Sequence, residues 1–345
     1  MKKYIYFFAT ALLAAFTSCS NDEIEIANAI SVKVDPSGVI SPFTFELDAG
    51  ELESFPTSYR LRTRTLAYNE KGLLTAADTT FLTNYKSRVD IELYLPKGEY
   101  TLLTITDVVR REDNETTFEY WKLTDDQDLN LAKISDTGYI GHQMSILGIA
   151  SRHASVVSGT ESYTMNPTPA GALLLIYNAN IHQYSILEQI DLEMNRACNF
   201  ISFNSYGEYV ATPENHNNQF DWRCSTLEPA DFPNSDNIYD YAFLFPMDNV
   251  KFKFAGYSST DGYNLSDEML TSLNPGDEYL FMLDLNDNGS ITTNWGLLNG
   301  TSSSKPSLAP SVVKAKAPSA PVRKSMFSSK VHNTSYARIS DLIRK

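Results

Sequence analysis

Beyond residue 56 the chain is dominated by short stretches in which apolar and polar residues alternate, the period of a strand with one buried face. Two of these stretches show the period without a break, with the apolar positions at Val89, Ile91, Leu93 and Leu95 and at Val250, Phe252 and Phe254. Turn signals separate the stretches, and helical periodicity is rare. The pattern therefore predicts an all-β protein built from antiparallel sandwiches.

The first clear strand carries arginines on one face. Tyr59 and Leu61 alternate with Arg60, Arg62 and Arg64. Because successive side chains of a strand point to opposite faces, the alternation predicts that the arginine face lies in water.

Turns organise the rest of the N-terminal half. Residues 69–72 end in a glycine that can adopt the positive φ of a turn. Residues 89–95 and 100–105 flank a second turn at 96–98, which predicts a β-hairpin. Residues 108–125 are highly charged, and we expect an exposed loop there.

The C-terminal half opens with an apolar run at 172–177, bounded by proline and asparagine. Such a short run predicts a central strand buried on both faces. Residues 185–194 favour either a short helix capped by Ser185 or a strand, because Ile190 and Leu192 also alternate. Further strands are predicted at 241–245, 250–254, 279–285 and 291–295, with a type I or II turn at Asn274-Pro275-Gly276.

The turn signals and composition divide the chain into five segments. We expect two tandem antiparallel β-sandwich domains between a cleaved leader and a tail that cannot bury enough apolar area to order itself. The predicted segments are 1–18 (lipoprotein signal peptide), 19–30 (lipidated tether), 31–158 (N-terminal sandwich), 159–297 (C-terminal sandwich) and 298–345 (basic tail rich in Ser, Pro, Ala and Lys).

The leader indicates export. Two lysines precede the apolar run 4–16, which is too short for a transmembrane helix of about 20 residues. Ser18 and Cys19 close the run in a pattern that resembles a bacterial lipobox, although Phe16 stands at its leucine-like position. The resemblance implies cleavage after Ser18 and a diacylglyceryl group on the Cys19 thiol, with two or more acyl chains giving stable anchoring. An ordinary signal peptide with a free cysteine is the alternative.

The residues behind this cysteine bear on location. The run Ser20, Asn21, Asp22 and Glu23 resembles the surface-export signal of lipoproteins from Bacteroides-like bacteria. It predicts exposure on the outer membrane surface. A flexible tether that leaves the protein inside the outer membrane is the alternative.

Net charge limits the class of partner. The chain carries −14 overall, but residues 301–345 hold nine Lys or Arg and one acid, Asp341, a net +8 that leaves −22 for residues 1–300. An acidic body disfavours nucleic acid and repels phosphate. It can attract cations or its own basic tail.

The sequence indicates neither a metal nor a catalytic centre. Cys198 and Cys224 can form a disulfide in an oxidising compartment or remain buried thiols. The five histidines lack metal-ligand spacing, and no nucleophile motif is present. Residues 284–289 fit the first half of a calcium loop, but Trp295 stands where the bidentate glutamate belongs, so a β-turn is predicted there. We therefore expect no enzyme activity, no cofactor and no metal.

Three turn motifs resemble the fimbrillin-like lipoproteins of Bacteroidales. They are Leu66–Leu73, Leu95–Thr101 and Leu273–Tyr279, the last followed by Asp284 and Trp295. The resemblance implies transthyretin-like sandwiches and a role as the anchor or a minor subunit of a fimbrium. It also implies that subunits join by strand exchange, in which one chain's extended segment fills a groove in another.

The tail departs from that family's pattern, because proline lacks the N–H that a donor strand needs. This departure favours an anchor or terminal role, with fimbrial subunits or other surface proteins as partners. Glycan binding by a lipoprotein of a polysaccharide-uptake system is the alternative function. Phe220 and Trp222 would supply a stacking platform for host or bacterial glycans, unless they only fix a loop to the core.

Overall fold

The computed structural model describes residues 28–39, 59–82, 88–111, 117–137, 146–158, 161–178, 189–215, 222–227, 238–258, 262–266, 268–285 and 291–299. Within these stretches the only regular element besides strands is a single 3-10 turn at Pro36–Gly38, so the all-β prediction is confirmed. No helix among them has the length and apolar character needed to cross a membrane.

The strands of the first half are β1 (Asn28–Val34), β2 (Tyr59–Asn69), β3 (Leu74–Leu82), β4 (Val89–Leu95), β5 (Gly98–Arg111), β6 (Thr117–Glu119), β7 (Trp121–Thr124), β8 (Lys133–Asp136), β9 (Leu147–Val156), β10 (Ser162–Met165) and β11 (Thr168–Pro169).

Those of the second half are β12 (Ala172–Asn178), β13 (Gln189–Met194), β14 (Arg196–Ala197), β15 (Phe200–Phe203), β16 (Tyr209–Ala211), β17 (Glu214–Asn215), β18 (Trp222–Leu227), β19 (Ile238–Leu244), β20 (Met247–Ser258), β21 (Gly262–Leu265), β22 (Met269–Leu273), β23 (Glu278–Leu285) and β24 (Ile291–Asn299).

Two sheets face each other in the first half. Sheet I has the order β10-β1-β4, and sheet II has the order β11-β9-β5-β2-β3 with β6 added beside β5. Side chains from the two sheets form one buried cluster, with Ile30, Val32 and Leu93 from sheet I and Leu102 and Val156 from sheet II. The alternation in β1 and β4 therefore marks a true interior face.

The predicted hairpin at 89–105 is wrong in its pairing, although both strands form. β4 pairs with β1 in sheet I, whereas β5 pairs with β2 and β9 in sheet II. The turn between them crosses from one sheet to the other. The reason is that Leu95 and Leu102 bury their side chains against the same core, which places the strands in facing layers instead of one plane.

Two further predictions for this half are wrong. The arginine face of β2 is covered: Arg62 is buried, and the Arg64 side chain is 14% exposed. The expected loop at 108–125 contains the end of β5, β6 and β7, and Tyr120 and Trp121 are buried. The charge of this stretch misled the prediction because one of its carboxylates, Glu119, pairs with Arg62 of β2.

The second half has its own pair of sheets. Sheet IV has the order β19-β12-β23-β24, and sheet V has the order β18-β13-β20-β21 with β22 beside β20. Phe252 and Phe254 of sheet V contact Phe281 of sheet IV, with ring centroids 5.9 and 5.5 Å apart. β12 lies between β19 and β23 with Ala172–Ile176 buried, which confirms the predicted central strand.

Local predictions in this half have mixed outcomes. Gln189–Met194 is a strand, as one of the two alternatives proposed, and residues 185–188 lie outside the described stretches. Gly276 has φ +78° and the Asp277 N–H donates to the Asn274 carbonyl at 3.1 Å, which makes a type II turn. Of the turn predicted at 284–289, Asp284 and Leu285 belong to β23, and residues 286–289 lie outside the described stretches.

A fifth sheet joins the halves. Sheet III has the order β7-β8-β15-β16, so strands from before and after residue 158 share one ladder. The ring of Trp121 lies 5.6 Å from Phe243 and 5.0 Å from Phe245, and one apolar core runs from sheet II to sheet V. β10 and β11, beyond residue 158, pair with β1 and β9. The domain boundary predicted at residue 158 stays a prediction. Because β10 and β11 pair with strands of the first half, these pairings favour a boundary after residue 169.

Candidate functional site: open sheet edges

One long side of the first sandwich is closed by a side chain. The Tyr163 hydroxyl on β10 donates to the Ser155 carbonyl of β9 at 2.6 Å and accepts from the Ser155 N–H at 3.0 Å. Arg152 donates to the Thr164 carbonyl at 3.3 Å and lies over the Tyr163 ring. These contacts satisfy backbone groups that a partner strand would otherwise use.

The opposite side of the sandwich ends at β3 in the described part of the chain. This nine-residue strand pairs with β2 along one edge, and no other strand of the described part of the chain pairs with it. Its outer face exposes Thr75, Ala77, Thr79 and Phe81. An unpaired edge of this length is a template for another strand.

The usual protections of an edge are weak on β3. The strand has no lysine and no proline, and its single charge is Asp78. Asp78 lies on the less exposed face and accepts a hydrogen bond from the Thr80 hydroxyl at 3.0 Å. In contrast, the neighbouring edge strand β4 exposes Asp90 and Glu92, charges of the kind that discourage pairing.

A second open edge lies in the other half. β24 pairs with β23, and among the described strands it has no further neighbour. It is also nine residues long and carries no charged side chain. Its Trp295 stacks on Phe281 with ring centroids 5.9 Å apart, which fixes the strand to the core, and no described strand pairs with its outer edge.

The arginine face of β2 forms a buried ion cluster. Arg62 donates to Asp107 through Nε at 2.9 Å and Nη2 at 2.6 Å, and through Nη1 to Glu119. Burial opposes the charge of Arg62, but the two carboxylates outweigh it and raise its pKa above the ordinary value. Burial lowers the pKa of Arg64, whose Nη2 lies 3.9 Å from Asp107. The cluster links the side chains of β2, β5 and β6 within sheet II, and both carboxylates are occupied as hydrogen-bond acceptors.

No protein-family model matches the sequence, and no curated protein sequence matches it. Several solved structures show a partial likeness to this chain. One is a proposed cell adhesion protein from Bacteroides ovatus, with 13% identity, TM-score 0.47, and 78% of this chain and 96% of that chain covered. Another is a proposed polysaccharide-binding protein from Bacteroides thetaiotaomicron, with 10% identity, TM-score 0.45, and coverage of 79% and 96%.

A third similar structure is the C-terminally truncated tip fimbrial protein Mfa3 from Porphyromonas gingivalis, with 9% identity and TM-score 0.39. It covers 79% of this chain and 99% of that chain. At identities this low the similarities assign neither a family nor an activity to this chain.

Most predicted site residues lie outside the described stretches. These are Ser18, Cys19, the run Ser20–Glu23 and Phe220. Trp222 and Cys224 belong to β18, whose backbone alone is described. Lipidation, surface export and glycan contact therefore stay predictions.

Cys198 is a half-buried free thiol whose Sγ–H donates to the Phe200 carbonyl at 3.2 Å. Burial raises its pKa, so it is a poor nucleophile. It lines a cavity of about 10 Å³ with Trp121 and Asp136, room for one water molecule. Cys198 is thus unbridged in this structure, and a disulfide with Cys224 in an oxidising compartment stays a prediction.

Among the described residues no group of three His, Cys, Asp or Glu side chains could hold a metal ion. What sequence reasoning missed is the edge at β3. The signal was present as a nine-residue stretch with a single charge, but which of its sides would remain unpaired depends on the neighbours that folding assigns.

Proposed function

We propose that this chain is an outer-membrane surface lipoprotein, anchored through acyl chains on Cys19, that serves as an adhesin or fimbrial component. In this proposal it is an anchor or accessory subunit that joins its partners by β-strand exchange. The observation that supports it most is the open, nearly uncharged edge of β3, with β24 as a second edge of the same kind.

The physics of such a junction is β-augmentation. Backbone hydrogen bonds along the edge give affinity, and alternate side chains of the added strand set the register. β3 offers nine residues for this purpose, with Phe81 45% exposed on its outer face. Because the β9–β10 side is blocked, a partner strand could add to this sandwich only at β3 and not on the opposite side.

The basic tail favours the acceptor role for this chain. Residues 301–345 contain prolines at positions 306, 310, 318 and 321, and each removes a donor N–H from any strand the tail could form. A chain that accepts a strand and offers a poor donor ends a polymer. That property suits an anchor or an accessory subunit.

Lysine substitutions at the edge test the junction. In cells that express Thr79→Lys with Phe81→Lys, or Thr292→Lys on β24, we expect loss of cross-linked surface partners from one of the two variants. Leu270→Lys, at another exposed apolar position, is the matched control and should retain them. Partners would be identified by mass spectrometry after cross-linking of intact cells. Full recovery of partners from both edge variants would contradict strand exchange.

The anchor has a separate test. Mass analysis of the mature N-terminus should find an acylated Cys19, and protease added to intact cells should reach the protein. An unmodified thiol would remove the anchor from the proposal. Glycan binding through Phe220 and Trp222 remains the alternative function, and the described residues add no observation in its favour.

A further inference from the structure

Two turns, the end of one strand and the start of β1 lie together at one end of the first sandwich. In the strand registers Asn28 pairs with Leu95, Asn69 with Tyr100, and Gly98 with Val156. The start of β1, the β2–β3 turn, the β4–β5 turn and the end of β9 therefore share this end. We call it the entry end, because β1, the first described strand, begins there.

Large apolar side chains are exposed around the entry end. Leu73, Tyr94 and Val157 follow or precede the strand ends just named and are 46%, 61% and 62% exposed. Leu131 belongs to a segment held on the β2–β3 turn, where the Leu129 N–H donates to the Gly72 carbonyl at 2.8 Å, and it is 59% exposed.

Tyr206 joins this group from the second half. It lies at the tip of the β15–β16 hairpin, and the Ser205 carbonyl beside it accepts from the Thr101 hydroxyl at 3.4 Å. A Cβ on Gly207 would lie 2.9 Å from Thr101 and 3.0 Å from Ser151, so the tip is pressed onto sheet II near its entry end. Tyr206 is 75% exposed, the largest value among the large apolar side chains.

This concentration is uneven over the molecule. Of the eight large apolar side chains exposed in the described stretches, five lie at the entry end, and Phe81, Val210 and Leu270 lie elsewhere. Single exposed apolar residues are ordinary on a protein surface, but a group gathered on one end indicates a contact.

The tether identifies what that end faces. Eight residues, 20–27, lie between Cys19 and Asn28, so the two ends of this segment are at most about 30 Å apart when it is fully extended. A lipid on Cys19 thus keeps the entry end close to the bilayer, whatever path the tether takes. Exposed charges on the turns there have both signs, with Lys71 and Lys97 beside Glu70, so apolar contact and not charge favours a lipid surface.

We propose that the entry end rests on the lipid surface, with Leu73, Tyr94, Leu131, Val157 and Tyr206 in contact with its interfacial layer. The inference depends on the anchor proposed above. Apolar side chains on turns enter the boundary between headgroups and acyl chains, and tyrosine is favoured at that depth. The contact would orient the sandwich on the membrane, with the β3 edge running away from it.

The test uses the full lipidated chain in vesicles of phosphatidylethanolamine and phosphatidylglycerol. An environment-sensitive fluorescent amino acid replaces Leu131 or Val157, and Leu270 in the control. We expect a blue shift of emission and quenching by bromine-labelled acyl chains at positions 131 and 157, and neither at 270. Leu73→Asp with Tyr94→Asp, in the chain labelled at 131, should reduce both signals.

The outcomes separate this inference from the anchor. A chain that floats with vesicles while the labels at 131 and 157 behave like the one at 270 would overturn the lipid contact and leave the anchor intact. A shift seen on intact cells but absent on vesicles would assign the entry end to a protein partner and overturn it too. A chain that does not float would refute the anchor, and this inference with it.

Discussion

Arg62 and Asp107 face each other across β2 and β5 and form a two-point ion pair, with Nε to Oδ1 at 2.9 Å and Nη2 to Oδ2 at 2.6 Å. The Asp107 side chain is fully buried, and that of Arg62 is 6% exposed. A pair of this geometry satisfies both partners. Without Asp107 the buried Arg62 keeps only Glu119 as a carboxylate partner, and without Arg62 the buried Asp107 keeps only the more distant Arg64, so removal of either one leaves a buried charge poorly compensated.

Asp107→Asn should therefore lower the free energy of unfolding by about 3–5 kcal/mol, measured by urea denaturation. Glu99→Gln is the control, because Glu99 contacts His153 at 2.8 Å on the surface and such pairs contribute about 1 kcal/mol or less. Equal losses of unfolding free energy from the two variants would contradict the prediction, because they would show that the buried pair stabilises the fold no more than a surface pair does.

Glu161 should make stability depend on pH. Its carboxylate accepts from the Ser158 and Val157 N–H groups at 2.7 and 2.9 Å, and these bonds lower its pKa from 4.5 to about 2. Because the folded state holds this proton less tightly than the unfolded state, the contribution to stability is complete above pH 4.5 and is lost as pH falls toward 2.

Glu161→Gln should remove this part of the pH dependence, measured as the urea midpoint between pH 2 and pH 6. Ser158→Ala deletes only the hydroxyl donor at 3.0 Å and should leave most of the dependence in place. Identical pH profiles for wild type and Glu161→Gln would contradict the assignment.

Gly72 and Gly276 allow strain to be separated from collision. Both have φ +78°, but a Cβ on Gly72 would lie 2.8 Å from Asn130 Nδ2, whereas one on Gly276 would meet nothing within 4 Å. Gly276→Ala should cost about 1–2 kcal/mol of unfolding free energy from the left-handed backbone alone. Gly72→Ala should cost more, and a smaller loss at Gly72 would show that Asn130 moves aside freely.

Trp121 tests whether the two halves unfold together. Its ring lies against Phe243 and Phe245 of the second half, and one core cluster contains residues of both halves. Far-ultraviolet circular dichroism and tryptophan fluorescence should therefore report a single urea transition. Trp121→Ala should lower its midpoint, with a loss of about 3–5 kcal/mol. Two separate transitions in the wild type would refute a shared core.

Several elements follow from sequence alone because their causes are local. Alternation in 89–95 and 250–254 predicts that the apolar face of each strand lies inside. In both strands the structure buries that face. The apolar run at 172–177 predicts a central strand, since no water-facing side is left for it. The turns at Gly72 and Gly276 depend on a conformation that few other residues adopt, and both have it.

Tertiary structure alone decided which strands pair and which charges are buried. Residues 89–105 predict two strands and a turn, but the choice between a hairpin and a crossing between sheets depends on β1 and β9, strands distant in sequence. From sequence, Arg62 and Arg64 are predicted to lie on a solvated face. In the fold β5 places Asp107, which is 45 residues from Arg62 in sequence, next to them. The open edge of β3 has the same origin.

Backbone periodicity is encoded within a few residues, and so sequence determines the strands of this protein, their buried faces and their turns. The pairing partners of each strand, the unpaired edges and the exposed group at the entry end depend on contacts between residues far apart in the sequence. They arise when burial of several strands is satisfied at once, and no single stretch of the sequence carries that information.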